Sequence, residues 1–321
     1  MEKILAVVGR VDKLSPIPEA DKIVSAEVIC GDCGRWTGVV PNTITRGQKV
    51  IVFLQDALLP EDDRWSFMAN RGWRVRMARF RGAPSECLII QGEEADLSEV
   101  GTDLTEQLGV KKYEKALSAS LGGIAKGSFP SFIPKTDEDN FQASNYVPRM
   151  AVDEYYITEK ADGTSCTVWN DQDGFHVCSR NLELKEETDS GKSNVYWESA
   201  KKYDLERIPG GLALQFEVVG DSIQKNRMGI SGREIRVFLG WDIENRKYIT
   251  YPELKALCLD FDLPMARCIG EFKPNGWLPT SEALRGMAEI TYQNGKAAEG
   301  IVIRNMDSTW SFKVINLLYK D

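Results

Sequence analysis

Tyr155-Tyr156-Ile157-Thr158-Glu159-Lys160-Ala161-Asp162-Gly163-Thr164-Ser165 reads as an apolar strand running into a charged turn. Aromatic and β-branched residues favour the extended backbone, and glycine lets the chain turn sharply behind Lys160. A lysine at the end of an apolar strand has its amine fixed in a pocket, which suits a nucleophile. Asp162 stands where it can help hold a metal near that amine. Lys-x-Asp-Gly alone is a weak signal: chance supplies it in roughly one protein in fifteen of this length, usually as a surface turn. Its weight depends on the surrounding sequence.

Residues 150–321 alternate strand-like runs (EYYITEKA, SCTVWN, FHVCSR, LALQFEVVG, EIRVFLGWDI, GIVIRN, WSFKVI) with helical stretches (NVYWESAKKYDLERI, YPELKALCLDF, SEALRGMAEITYQNG). This is an α+β pattern rich in antiparallel pairing. Strand, Gly-rich turn and helix do not repeat, which argues against a doubly wound nucleotide fold. Gly191-Lys192-Ser193 ends like a phosphate loop, but Glu186 stands where that motif needs its first glycine and the flanks are acidic. It reads as a solvated loop.

Residues 1–100 read mostly as β. ILAVVGRV, IVSAEVIC, KVIVFL, WRVRMARF and CLIIQ are short segments separated by turns such as Pro41-Asn42 and Arg46-Gly47. Five such strands predict a small barrel of the OB-fold type. The stretch DLTEQLGVKKYEKAL within 101–125 reads as helical, and Pro130, Pro134 and Pro148 mark an extended linker. The expected organisation is an OB-fold domain over 1–115, a linker over 116–149 and a second domain over 150–321. Arg71, Arg74, Arg76, Arg79 and Arg81 interleave with Trp73 and Phe80. A strand would put Arg74 and Arg76 on one face and send Val75 and Met77 to the core. Such a basic, aromatic face suits a nucleic-acid backbone with stacked bases.

The chain has 321 residues, with 48 acids against 40 bases and a formal charge of −8. That excludes nucleic-acid binding by bulk charge and leaves room for local basic surfaces. The single histidine, His176, removes His-pair zinc sites, two-His iron sites and HExxH proteases. Seven scattered cysteines, an odd number, read as reduced thiols inside a cell, most simply the cytoplasm. Cys30 and Cys33 form a lone CxxC among Gly31, Asp32 and Gly34, better read as a strand end and turn than as a zinc site. MEKILAVVGRV is too short for a signal peptide, and no apolar run approaches the roughly 20 residues of a membrane span.

Further segments follow Lys160 in a fixed order: Ser179-Arg180-Asn181, Gln215-Phe216-Glu217-Val218-Val219-Gly220, Val237-Phe238-Leu239-Gly240-Trp241-Asp242-Ile243, Glu299-Gly300-Ile301-Val302-Ile303-Arg304 and Ser311-Phe312-Lys313-Val314. With the lysine turn they resemble motifs I, Ia, III, IIIa, IV and V of the covalent nucleotidyltransferases, which comprise DNA ligases, RNA ligases and mRNA capping enzymes. DNA ligases and capping enzymes continue past motif V into a C-terminal OB domain, whereas this chain ends eight residues after Lys313 and has its barrel at the N-terminus. That order resembles the fifth RNA ligase family. Ile17-Pro18-Glu19-Ala20-Asp21, Arg81-Gly82 before Cys87-Leu88-Ile89-Ile90, Pro134-Lys135-Thr136-Asp137-Glu138 and Ile223-Gln224-Lys225-Asn226-Arg227 look like that family too. Two positions depart from relatives: Ile315 stands where many have a second lysine, and Ser165 where many have arginine or asparagine.

The resemblance implies an ATP-grasp-like ligase domain that uses ATP and Mg2+ or Mn2+. Lys160 takes AMP, passes it to an RNA 5′-phosphate, and the end is joined to a 3′-OH, as in nick sealing and RNA repair. Desolvation, a metal and Lys313 are expected to favour the neutral amine of Lys160. Asp162, Glu217 and Glu299 are the implied metal carboxylates, acting through retained waters. Glu159, Arg180 and Lys313 are implied nucleotide contacts. Phe238 or Trp241 supplies one wall for adenine and Val302 the other. Arg74, Arg76, Arg79, Lys225 and Arg227 are the expected RNA contacts, on a nicked duplex whose 3′-OH strand is RNA, with the protein a monomer off the membrane. The alternatives are a DNA ligase, a GTP-using capping enzyme, or an inactive RNA-binding protein.

Overall fold

In the computed structural model, which describes residues 3–113, 123–188 and 191–319, the β-branched runs near the N-terminus pair into one antiparallel sheet. Its strands are β1 (Ala6–Pro16), β2 (Ile23–Ile29), β3 (Arg35–Pro41), β4 (Lys49–Phe53) and β8 (Leu88–Ile90), in the order β3-β2-β1-β4-β8. Short strands β5 (Ala57–Leu58), β6 (Ala78–Phe80), β7 (Ala83–Ser85) and β9 (Lys111–Lys112) decorate it. The segment before β8 nearly closes the sheet onto β3. Glu86 N–H donates to the Thr37 carbonyl at 2.8 Å, and Val39 N–H donates to Ser85 Oγ at 3.0 Å. Neighbouring Val7 and Val8 point to opposite cores, one around Trp36 and the other around Trp65. This is an OB-type barrel.

One strand of the barrel differs from expectation. The fifth barrel strand is β3, not WRVRMARF. Gly38 weakens β3 as a sequence signal, but it is required: a Cβ there would lie 2.5 Å from Ile89 Cδ1. Residues 63–71 instead wind into a 3-10 helix, Trp73 takes a left-handed φ of 59°, and only Ala78–Phe80 is extended. Val75 is buried as expected, while Met77 is only half-buried. No helix forms over 101–113; the remainder of that expected helix, 114–122, lies outside the described residues.

The chain divides into two compact units, Met1–Ala116 with Gln142–Ser144 and Leu117–Phe141 with Asn145–Asp321. The second is built on two antiparallel sheets. One contains β10 (Ala125–Ser128), β12 (Thr164–Asp171), β13 (Gly174–Ser179), β14 (Leu182–Leu184), β15 (Leu212–Gly220), β16 (Arg233–Asp242) and β17 (Lys247–Tyr248), in the order β10-β14-β13-β12-β15-β16-β17. The other contains β11 (Tyr155–Glu159), β18 (Cys268–Phe272), β19 (Gly300–Asn305) and β20 (Ser311–Ile315), in the order β18-β11-β19-β20. Helices Val195–Lys202 and Tyr251–Asp260 cover the first sheet through Tyr196, Trp197, Leu254 and Cys258, and helix Ser281–Ala288 covers the second through Leu284 and Ala288. Thr250 and Glu253 form a reciprocal capping box that starts Tyr251–Asp260.

Two further expectations are corrected. The proposed linker is not a linker throughout: β10 pairs with β14, and Thr136–Glu138 reach the cleft described below. The helix proposed through ITYQNG stops at Ala288, and Thr291 pairs with Ala297 in a tight hairpin because Asn294-Gly295 favours a turn. Among the described residues, no helix is long and apolar enough to cross a membrane.

Candidate active site

β11 is buried along its whole length, so its register is fixed on both sides. It places Glu159 opposite Ile301 of β19, and Lys160 N–H donates to the Gly300 carbonyl at 2.9 Å. The lysine is thereby brought beside the residue that precedes β19: Lys160 Nζ lies 2.7 Å from Glu299 Oε2. Behind it, Gly163 is needed because of close approach. A Cβ there would stand 2.6 Å from the Val218 carbonyl and 2.9 Å from Glu217 Oε2. Glu217 itself projects from β15, where it is the partner of Ser165 on β12.

These elements border an open cleft. Glu159, Lys160, Arg180, Glu217, Phe238, Val302 and Lys313 line it, together with Ser165. Of the two expected adenine walls on β16, only Phe238 lines the cleft. Gln215 pairs with Leu239 and Phe216 with Val237, so Phe238 is the extra residue of β16. Arg236 and Phe238, two residues apart on one face of β16, both line the cleft, while Ile235 and Val237 face the core. Trp241 does not line it, which corrects its inclusion among nucleotide contacts. Its indole donates to the Phe132 carbonyl at 3.0 Å and its ring packs edge-on to Tyr248.

Without ligands, the charge on Lys160 is set by its acidic neighbours. Burial lowers its pKa, but Glu299 foremost, then Glu217 and Glu138, outweigh that and hold the amine protonated. Burial pushes the Glu217 carboxyl up to about 8, helped by Glu299 and opposed by Lys160. Burial likewise raises Asp162, although the Tyr319 hydroxyl hydrogen-bonds it. Glu217 Oε2 and Asp162 Oδ2 are buried without a hydrogen-bond partner among the described residues. Unsatisfied buried carboxylate oxygens are costly, and hard oxygen donors of this kind suit Mg2+ or Mn2+. The described carboxylates nevertheless do not form a closed three-ligand cage, and Glu299 is turned onto Lys160. This arrangement suits a cation that keeps waters of its own.

The sequence reading assigned no role to Asp137, Glu138, Arg236 and Arg304. Arg304, 3% exposed, forms a buried ion pair with Glu138, and its guanidinium lies 5.5 Å from the Phe238 ring centroid. Asp137 holds Arg180 at 2.9 Å. The signal was present in Pro134–Glu138, but a linker assignment gave those charges nothing to face.

Residues 153–319 match a family model described as RNA ligase. The chain belongs to the RNA ligase family. Residues 5–91 of the ligase match an OB-fold domain model. Its structure is similar to that of Naegleria gruberi RNA ligase with PPi, at a TM-score of 0.79 and 30% identity over 98% of this chain and 97% of that one. A mutant of the Naegleria enzyme with ATP and Mn gives 0.79 and 29% over 98% and 97%. Another with AMP and Mn gives 0.80 and 30% over 98% and 97%. No curated protein sequence matches the chain.

The expected RNA contacts of the ligase differ in their surroundings. Arg74 is engaged: it donates to Asp56 Oδ1 from Nε at 3.0 Å, and its guanidinium sits 3.9 Å from the Tyr113 ring centroid. Arg76 is exposed, without an ion-pair partner among the described residues. Arg79 lies on the β6–β7 hairpin, whose turn residues Arg81 and Gly82 have φ of 48° and 86°, as a type I′ turn requires. One Arg79 nitrogen donates to the Gly82 carbonyl, and two others are buried without partners among the described residues. In the second unit, Lys225 is exposed and the Arg227 guanidinium lies 4.6 Å from the Tyr319 ring centroid.

Proposed function

We propose that the ligase uses ATP to seal RNA ends through an AMP carried on Lys160. The observation that carries this reading is the position of Lys160 Nζ, paired with Glu299 and set in a cleft where Glu217 and Lys313 meet the apolar walls Phe238 and Val302. Adenine stacks between those walls, and the α-phosphate comes to the amine. The neutral amine forms an N–P bond while the O–P bond to pyrophosphate breaks. An RNA 5′-phosphate oxygen then attacks the same phosphorus and releases the lysine. Finally the 3′-OH attacks the activated 5′-phosphate, forming the phosphodiester and releasing AMP.

The ammonium must lose its proton before the first step, and the acids around it resist that loss. A divalent cation held by Asp162, Glu217 and Glu299 would supply positive charge that competes for these carboxylates and offsets phosphate charge. Lys313 neutralises charge on the α-phosphate as pyrophosphate leaves, and Arg180, steadied by Asp137, contacts the ribose or phosphates. Arg76 and Arg79 on the barrel and Lys225 and Arg227 on the second unit take the RNA backbone. Arg74 supports the barrel surface from its place against Asp56 and Tyr113.

The substrate in this reading is a nicked duplex whose 3′-OH end is RNA, sealed by a monomer in the cytoplasm during RNA repair. All seven cysteines are free thiols and six are buried, which supports a reducing compartment. Labelled ATP with Mg2+ or Mn2+ should leave AMP on the protein through denaturation, and Lys160→Ala should abolish the label. Persistent labelling of Lys160→Ala would sink the assignment.

A further inference from the structure

Tyr292 lies outside every role assigned so far, yet it is the point where the two halves of the site are joined. It is 2% exposed. Its hydroxyl donates to the Lys160 carbonyl at 3.2 Å and accepts from the Glu299 N–H at 3.1 Å. A phenol has one proton to give and can accept as well, and here both capacities are used on the two residues that form the central ion pair. The opposite side of the Lys160 residue is already tied, its N–H donating to the Gly300 carbonyl at 2.9 Å. The lysine N–H is therefore fixed to the start of β19 and its carbonyl to Tyr292.

The hairpin that carries Tyr292 is itself anchored. Tyr292 N–H donates to the Lys296 carbonyl at 2.9 Å, closing the turn. Asn316, fully buried, donates from Nδ2 to Ile290 at 3.2 Å and to Ala298 at 2.9 Å, one carbonyl on each arm. Two anchored arms leave the phenol oxygen little freedom.

We propose that Tyr292 is a positioning residue for nucleotide transfer, its hydroxyl setting the separation of Lys160 and Glu299 while touching neither substrate nor reacting atoms. The proposal rests on Lys160 being the nucleophile. A misplacement of about 1 Å costs about a hundredfold in rate, and the first step is the one that demands an aligned amine. Joining a pre-activated RNA end does not use the amine as nucleophile.

The test compares the full-length wild-type protein with Tyr292→Phe, which keeps the ring and removes only the hydroxyl. Three quantities are read: the single-turnover rate of protein-AMP formation at saturating ATP, the ATP concentration giving half that rate, and sealing of a nicked RNA carrying a synthetic 5′-adenylylated end. The expected result is a fall of about ten- to a hundredfold in the first rate, with half-saturation and pre-activated sealing each changed by less than about threefold. An unchanged first rate would overturn the proposal. So would parallel loss of both activities, which would assign the hydroxyl to folding alone. Failure of the underlying reading has a different signature: wild type that seals pre-activated ends but never acquires AMP on Lys160.

Discussion

Lys160 Nζ and Glu299 Oε2 stand 2.7 Å apart, joining the end of β11 to the start of β19. The contact holds the lysine charged in the absence of ligands, so this site is poised against reaction until charge is added to it.

Removing Glu299 should therefore loosen the proton on Lys160. With that carboxylate gone, burial is opposed by fewer charges, only Glu217 and Glu138 remaining, and the pKa falls. Glu299→Gln is expected to make Lys160 more reactive toward an acylating reagent at pH 8. Peptide mass spectrometry reads the modified fraction. Equal reactivity in both proteins would show that Glu299 does not control the amine.

Glu217 should make ligand-free stability fall with rising pH. Its folded pKa of about 8 lies above the ordinary carboxylate value, so between about pH 4.5 and 8 the folded state binds more protons than the unfolded state and stability declines. The loss should be on the order of 5 kcal/mol. Glu217→Gln should flatten it. Adding Mg2+ should raise the thermal midpoint more at pH 8.5 than at pH 6 in wild type, and not in the variant. Parallel pH profiles would refute this.

Phe238 and Trp241 should separate cleanly. Phe238→Ala should weaken ATP binding about ten- to a hundredfold, since stacking on an aromatic ring contributes about 1–3 kcal/mol per base. Trp241→Ala should leave ATP affinity within about twofold but lower stability by about 2 kcal/mol, less than for a fully buried ring. Calorimetric titration and chemical denaturation read the two effects. A large loss of ATP affinity in Trp241→Ala would reverse the assignment.

The arginines of the barrel should also divide. Arg76→Ala should weaken RNA binding at low salt and reduce the slope of log affinity against log salt by about 1. Arg74→Ala should instead lower stability by about 1 kcal/mol, through loss of the Asp56 pair and the Tyr113 contact. Binding isotherms at several salt concentrations and denaturation curves distinguish them. An unchanged salt slope in Arg76→Ala would remove it from the RNA surface.

Much of this was readable in advance because strand residues carry a local signature. The apolar run to Glu159, the VFLGWDI run around the bulge and the GIVIRN run after Glu299 fold as strands, and motif order alone pointed to the family. Strand β3 escaped because Gly38 breaks its pattern for the sake of Ile89, a neighbour 51 residues away in sequence. Thr136–Glu138 escaped because three prolines argued for an open linker, while their partners Arg180 and Arg304 lie far along the chain.

Residue order alone sets which side chains are available: a lysine at a strand end, acids on β15 and before β19, and an aromatic pair on β16. Backbone preference and residue type act over a few neighbours, so a linear reading reaches them. The charge on Lys160, the place of Phe238 in the cleft and the engagement of Arg74 depend on contacts made across the fold. A pKa depends on burial and on charges brought close by distant strands, a cleft wall exists only once its neighbouring strands are assembled, and an ion pair needs both ends in place.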